Sequence, residues 1–115
     1  MDIVQGAIFW IETGPQDAGG RRPYVVLQNN IANRSRIDTL IVCGLTTQHR
    51  LAGVGGNVLL DPGKGNLPRQ SVVNVSQLFT VAKWELDGYI GVLDTRRVRQ
   101  ILDGLWRLLE PRSLP

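Results

Sequence analysis

Short runs rich in Val, Ile, Trp and Tyr follow one another down this chain, each closed by Gly, Pro, Asn or Asp, and only the last segment departs from that rhythm. The runs are 6–11, 23–28, 39–45, 57–60, 71–78, 80–86 and 88–93. Segments this short and this close together leave no room for crossover helices, so they predict an antiparallel barrel or sandwich. Asp87-Gly88 stands between two of the runs and predicts a tight hairpin there. From Val98 the apolar positions fall at Val98, Ile101, Leu102, Leu105, Leu108 and Leu109, the stripe of one amphipathic helix. Asp94 or Thr95 is its expected N-cap and Pro111 its stop.

With 115 residues, 43 % of them hydrophobic, the chain is expected to form one globular domain over 1–115. No apolar run approaches the roughly 18 residues of a membrane span. The start "MDIVQGAIFW" has an acid and no basic leader, so a cytoplasmic protein is expected. Lone Cys43, inside "LIVCGL", is expected to be a buried, inert thiol.

Net charge is only +3, yet it is unevenly spread. Residues 1–17 carry Asp2, Glu12 and Asp17 without a base, whereas 18–60 carry Arg21, Arg22, Arg34, Arg36 and Arg50 against Asp38 alone. Such a field suits a polyanion or an acidic polypeptide, although a solvated basic surface is the plainer alternative. Arg96, Arg97 and Arg99 crowd the first turn of the expected helix, where the macrodipole disfavours cations.

Several chemistries fail on inspection. "PGKG" is not a phosphate-binding loop, because Val58 stands where the first glycine belongs and Gly65 replaces the Ser or Thr that should follow Lys64. One His, one Cys and no acid pair at ligand spacing give a metal no dedicated ligand set, so no cofactor is expected. Cys43 and His49 are a poor nucleophilic dyad, since an apolar strand disfavours the thiolate.

What remains is "GGRRP" ahead of one strand and "TTQ" at the end of another. Pro23 biases Arg22 to an extended backbone, and Thr46, Thr47 and Gln48 emerge as the third strand ends. A guanidinium and two hydroxyls in one cleft can hold a phosphate and stabilise charge developing on it. An ion pair with Asp17 or Glu12 is the purely structural alternative for Arg22.

The segments "GAIFW", "AGGRRPYVVLQNN", "TLIVCGLTTQ" and "SVVNVSQLFTV", in this order and spacing, resemble the MazF/PemK family of toxin endoribonucleases over about residues 5–100. The resemblance implies a small SH3-like antiparallel barrel with a C-terminal helix, a homodimer, and metal-independent cleavage of single-stranded RNA. It also implies inhibition by a cognate antitoxin that lays an acidic segment in the RNA groove. Carried over by position, Arg22 and Thr46 are the catalytic pair, and Gln16, Pro23, Thr47, Gln48, Ser76 and Gln77 contact RNA. The segment from Gly14 to Arg22 is one residue longer than in several relatives. Asn74 and Ser76 stand where some relatives place an Arg and Asp dyad, which leaves the chemistry to Arg22 and Thr46.

The implied reaction is attack of a ribose 2′-hydroxyl on the adjacent phosphorus, leaving a 2′,3′-cyclic phosphate and a 5′-hydroxyl. Arginine is a poor base, so Arg22 is expected to stabilise charge, and no residue in the sequence identifies itself as the general base. Two rivals share the barrel: a gyrase inhibitor of the CcdB type and a non-catalytic RNA-binding barrel.

Overall fold

The computed structural model describes residues 2–12 and 20–115. Six strands, β1 (Ala7–Glu12), β2 (Arg21–Val26), β3 (Thr39–Thr46), β4 (Val58–Leu60), β5 (Ser71–Ala82) and β6 (Leu86–Val92), form one antiparallel sheet in the order β4-β5-β3-β2-β1-β6. The sheet curls into a half-barrel, with helix α2 (Thr95–Leu109) closing the chain. The expected mainly β barrel with a C-terminal helix is therefore what forms. A four-residue helix α1 (Asn30–Asn33), capped by the Asn29 side chain on the Ala32 N–H at 3.0 Å, was not expected, being too short to show a helical period.

Alternation along the strands builds a core on each side of the sheet. Ile8, Val25, Cys43, Leu45, Val73 and Val75 face α2, where Val98 and Ile101 complete the packing. Ala7, Phe9, Ile11, Val26, Leu40 and Val42 face the other way, and Val81 and Leu86 fold over them as the sheet curls. Ile101 is fully buried, worth about 1.5–3 kcal/mol against leaving it in water. The helical stripe holds for its first half; Leu108 and Leu109 run past the sheet and stay exposed. Asp94 caps α2, its carboxylate accepting the Arg97 N–H at 2.9 Å.

The Asp87-Gly88 hairpin is not formed. β5 continues to Ala82 without the break expected near Phe79, the turn falls at Lys83–Glu85, and Asp87 and Gly88 lie inside β6. The Glu85 carboxylate closes that turn by accepting the Ala82 N–H at 2.6 Å, and the Lys83 N–H donates to the Asp38 carbonyl at 2.8 Å. β5 is second and β6 last in the strand order, with β3, β2 and β1 between them, so they do not pair as a tight hairpin.

The loop after β4 latches the curled sheet. Asn66 donates its amide to the Ile90 carbonyl at 2.9 Å, and Gly65 and Gly91 touch so closely that a Cβ on Gly91 would collide with the Gly65 carbonyl. Edge strand β6 is thereby held by the loop that follows the other edge strand. Among the described residues no helix is long and apolar enough to cross a membrane.

Candidate active site

β2 and β3 pair as Val26 with Val42, Val25 with Cys43 and Tyr24 with Gly44. Continued two positions further, the same register brings Arg22 across from Thr46, on the face turned away from α2. Pro23 sits between them in sequence, pairs with Trp10 of β1 and keeps Arg22 extended. Arg22, Pro23, Thr46, Thr47 and Gln48 line one cavity of about 400 Å³. Arg21, Leu45, Arg69 and Ser71 complete its wall, so three arginines and, among the described residues, no carboxylate line the space.

The donors here are held ready. Thr46 Oγ1 accepts the Gln48 N–H at 3.2 Å, which fixes the hydroxyl and leaves its proton to donate. Arg50 donates to Gln48 Oε1 at 3.1 Å, so the Gln48 NH₂ remains for a ligand. Neither Arg22 nor Arg69 makes an ion pair with a described carboxylate. The Arg22–Glu12 pair, the structural alternative for this arginine, is not made; the neighbouring Arg21 pairs instead with Asp87 at 3.5 Å and lies 4.5 Å over the Trp10 ring. Asp17, the other partner considered, and Gln16 lie outside the described residues.

A bulge in β5 shapes the neighbouring wall. Register against β3 slips between Cys43, opposite Leu78, and Leu45, opposite Val73, leaving residues 74–77 unpaired. Asn74 stabilises the bulge: its carbonyl accepts the Cys43 thiol at 3.0 Å, and its Oδ1 accepts the Ser76 hydroxyl at 2.7 Å. Burial pushes the Cys43 thiol up to about 12, which makes it as inert as expected. Gln77 lies across Gly44, where a Cβ would stand 2.8 Å from Gln77 Oε1. Glycine is what lets that amide lie flat over β3.

Beyond Gln77 a second cavity of about 310 Å³ opens, with Arg22 as a shared wall and Tyr24, Phe79, Thr80, Glu12 and Glu85 around it. Tyr24 and Phe79 meet edge to face at 5.9 Å. Seven of the eight sequence-predicted residues lie in the described structure, and six of them line these two cavities. Ser76 does not: it is exposed, and its hydroxyl is engaged with Asn74. Arg69 and Ser71 escaped the sequence reading. Their signals were the long loop over residues 61–70 and a lone arginine at its end, neither of which carries a position until the barrel closes.

Comparison with known proteins agrees with this architecture. Residues 4–109 match the family model of the PemK-like, MazF-like toxins of type II toxin–antitoxin systems. The chain is 34 % identical over 113 residues to "Endoribonuclease MazF6" of Mycobacterium tuberculosis, covering 96 % of this chain and 99 % of that protein. It is 30 % identical over 108 residues to "Endoribonuclease EndoA" of Bacillus subtilis, covering 91 % and 92 %. Among solved structures, an "Endoribonuclease in complex with its cognate antitoxin from Mycobacterial species" superimposes with a TM-score of 0.78 at 24 % identity, covering 96 % of this chain and 99 % of the other. The order of strands, the family match and the two relatives agree: this chain belongs to the PemK-like, MazF-like toxins of type II toxin–antitoxin systems.

Proposed function

We propose that this chain is a toxin endoribonuclease, one domain over residues 1–115, that cuts single-stranded RNA through attack of the substrate's own 2′-hydroxyl. The observation carrying this reading is the cavity in which Arg22 and Arg69 stand free of carboxylates beside the Thr46 and Thr47 hydroxyls. A phosphodiester bound there meets charge from the arginines and hydrogen-bond donors from the threonines, and no carboxylate among the described residues that line the cavity.

The 2′-hydroxyl gives its proton to water as its oxygen attacks phosphorus, forming a phosphorane bearing extra negative charge; the bond to the 5′-oxygen then breaks, and that oxygen takes a proton from water and departs as a hydroxyl. Arg22, planar and always charged, donates two N–H bonds to the equatorial oxygens as that charge appears. Thr46 donates its free proton to a phosphate oxygen, its lone pair being held by the Gln48 N–H. Thr47, Gln48 and Gln77 fix the strand so that the 2′-oxygen lies in line with the leaving oxygen. The product ends are a 2′,3′-cyclic phosphate and a 5′-hydroxyl.

A relative in this family supports one further assignment. One solved neighbour is in complex with its cognate antitoxin, and an acidic antitoxin segment would suit the cavity of this chain that no described carboxylate lines. We assign the working protein as a cytoplasmic homodimer. The test is an RNA carrying a single deoxyribose 5′ to a mapped cut. That strand resists cleavage there, while the all-RNA strand yields a cyclic phosphate; cutting of the deoxy strand, or a 5′-phosphate product, makes water the nucleophile and overturns the mechanism.

A further inference from the structure

Trp84 is 84 % exposed, the ring most open to solvent among the described aromatic residues of the strands and turns. Its mounting is rigid. The Lys83–Glu85 turn that carries it is fastened by the Lys83 N–H on the Asp38 carbonyl at 2.8 Å, the Lys83 ammonium on the Asn33 carbonyl at 3.0 Å, and the Glu85 carboxylate on the Ala82 N–H at 2.6 Å. Beside the ring lies a cavity of about 410 Å³, lined by Trp84, Glu12, Glu85, Leu86 and Asp87.

This cavity is the third in a row. Glu12 and Glu85 are shared with the cavity around Tyr24 and Phe79, and that one shares Arg22 with the phosphate-binding cavity. Carboxylates in such a path repel a phosphate, so their use must be to accept hydrogen bonds from something neutral. Asp87 is engaged by Arg21, and Glu85 has one oxygen on the Ala82 N–H. Glu12 makes no hydrogen bond or ion pair among the described residues.

We propose that Trp84 and Glu12 form a base-reading subsite for guanine, two cavities along from the one that takes the scissile phosphate; this rests on the ribonuclease reading above. The indole supplies a stacking face, which every base can use, and the carboxylate supplies the choice. Guanine presents N1–H and N2–H side by side, matching the two oxygens of Glu12. Cytosine and adenine offer one amino group next to an acceptor, and uracil offers one N–H flanked by two carbonyls that the carboxylate repels.

Binding and cleavage are measured separately, so that the pocket and the reaction stand or fall apart. Non-cleavable 2′-deoxy hexamers, with guanine or inosine at one position, are titrated against the protein and against Trp84→Ala and Glu12→Gln. The native protein binds the guanine strand about tenfold more tightly than the inosine strand at one position, and both variants lose that difference. Equal affinities for the two strands at every position overturn the pocket, whatever the enzyme does to RNA. In parallel, cut sites in a random-sequence RNA pool are mapped. Guanine enrichment at one flanking position, erased in both variants with preferences elsewhere kept, supports the pocket. An unchanged profile in the variants overturns it, as does a Trp84→Ala protein that changes oligomeric state with its profile intact, since Trp84 is then a subunit contact. A native protein that binds guanine strands selectively but cuts no RNA keeps the pocket and removes the ribonuclease.

Discussion

Arg22 and Thr46 face each other across β2 and β3, two positions beyond the Tyr24–Gly44 pair that ends their ladder. Their separation is therefore set by backbone pairing, and both side chains project from strand ends whose interiors are buried. A site fixed in this way can be altered without touching the core.

Replacing Arg22 with Ala should lower the cleavage rate about 100- to 1,000-fold, the usual effect of removing one donor to a developing oxyanion, with the thermal midpoint unchanged. Arg22→Lys should recover little, because a single ammonium cannot make the paired contact. Single-turnover rates beside melting curves check both; a Lys variant near native rate would show that charge alone suffices.

For Thr46 the hydroxyl is the point, so Thr46→Ser should keep most activity and Thr46→Val should lose about 100-fold. The Val variant also leaves the Gln48 N–H without its acceptor, at a cost of about 1 kcal/mol in stability. Equal rates for Ser and Val would remove the hydroxyl from the chemistry.

Gly44→Ala is a remote way to displace Gln77. The added Cβ meets the far end of the Gln77 amide, which can swing away, so stability should fall by no more than about 1 kcal/mol. RNA affinity should fall as far as in Gln77→Ala, and the double variant should be no worse than either single one. Additive losses would separate the two positions.

Cys43 makes a prediction about alkali. Its thiol is raised from 9.0 to about 12 by burial, so the folded chain keeps a proton that the unfolded chain gives up first. Stability should be flat with respect to this group below about pH 9 and decline between about 9 and 12. Urea titrations at stepped pH should show that decline in the native protein and less of it in Cys43→Ala. Alkylation at neutral pH should be negligible until the protein unfolds.

Cleavage should also persist in excess EDTA, because among the described residues no group of three His, Cys, Asp or Glu side chains is placed to hold a metal ion. Activity abolished by chelation and restored by magnesium would contradict this.

How far the sequence could be read depended on the range of each contact. β1 to β4 and α2 were legible because alternation and helical spacing are local, and the Arg22–Thr46 pairing was legible because strand ends carry it. Asp87-Gly88 misled because a turn-forming dipeptide was weighed without knowing that β5 and β6 lie far apart in the strand order. Arg69, Glu12 and Glu85 reach the cleft only after the sheet has curled, through contacts that span 20 residues or more, and no neighbour in the chain announces them.

The latch made by Gly65 and Asn66 sets an order of manufacture. Its seat, Ile90 and Gly91, is synthesised some twenty-five residues later, and α2 later still. A ribosome that has released only β1 to β5 has exposed Arg22 and Thr46 on an unclosed sheet, without the Leu86 wall or the helix behind it. The closed sheet thus belongs to the last part of translation, and a chain abandoned before residue 90 leaves the ribosome with every described segment that lines the Arg22–Thr46 cavity but with neither the edge strand nor the helix that holds those segments in place.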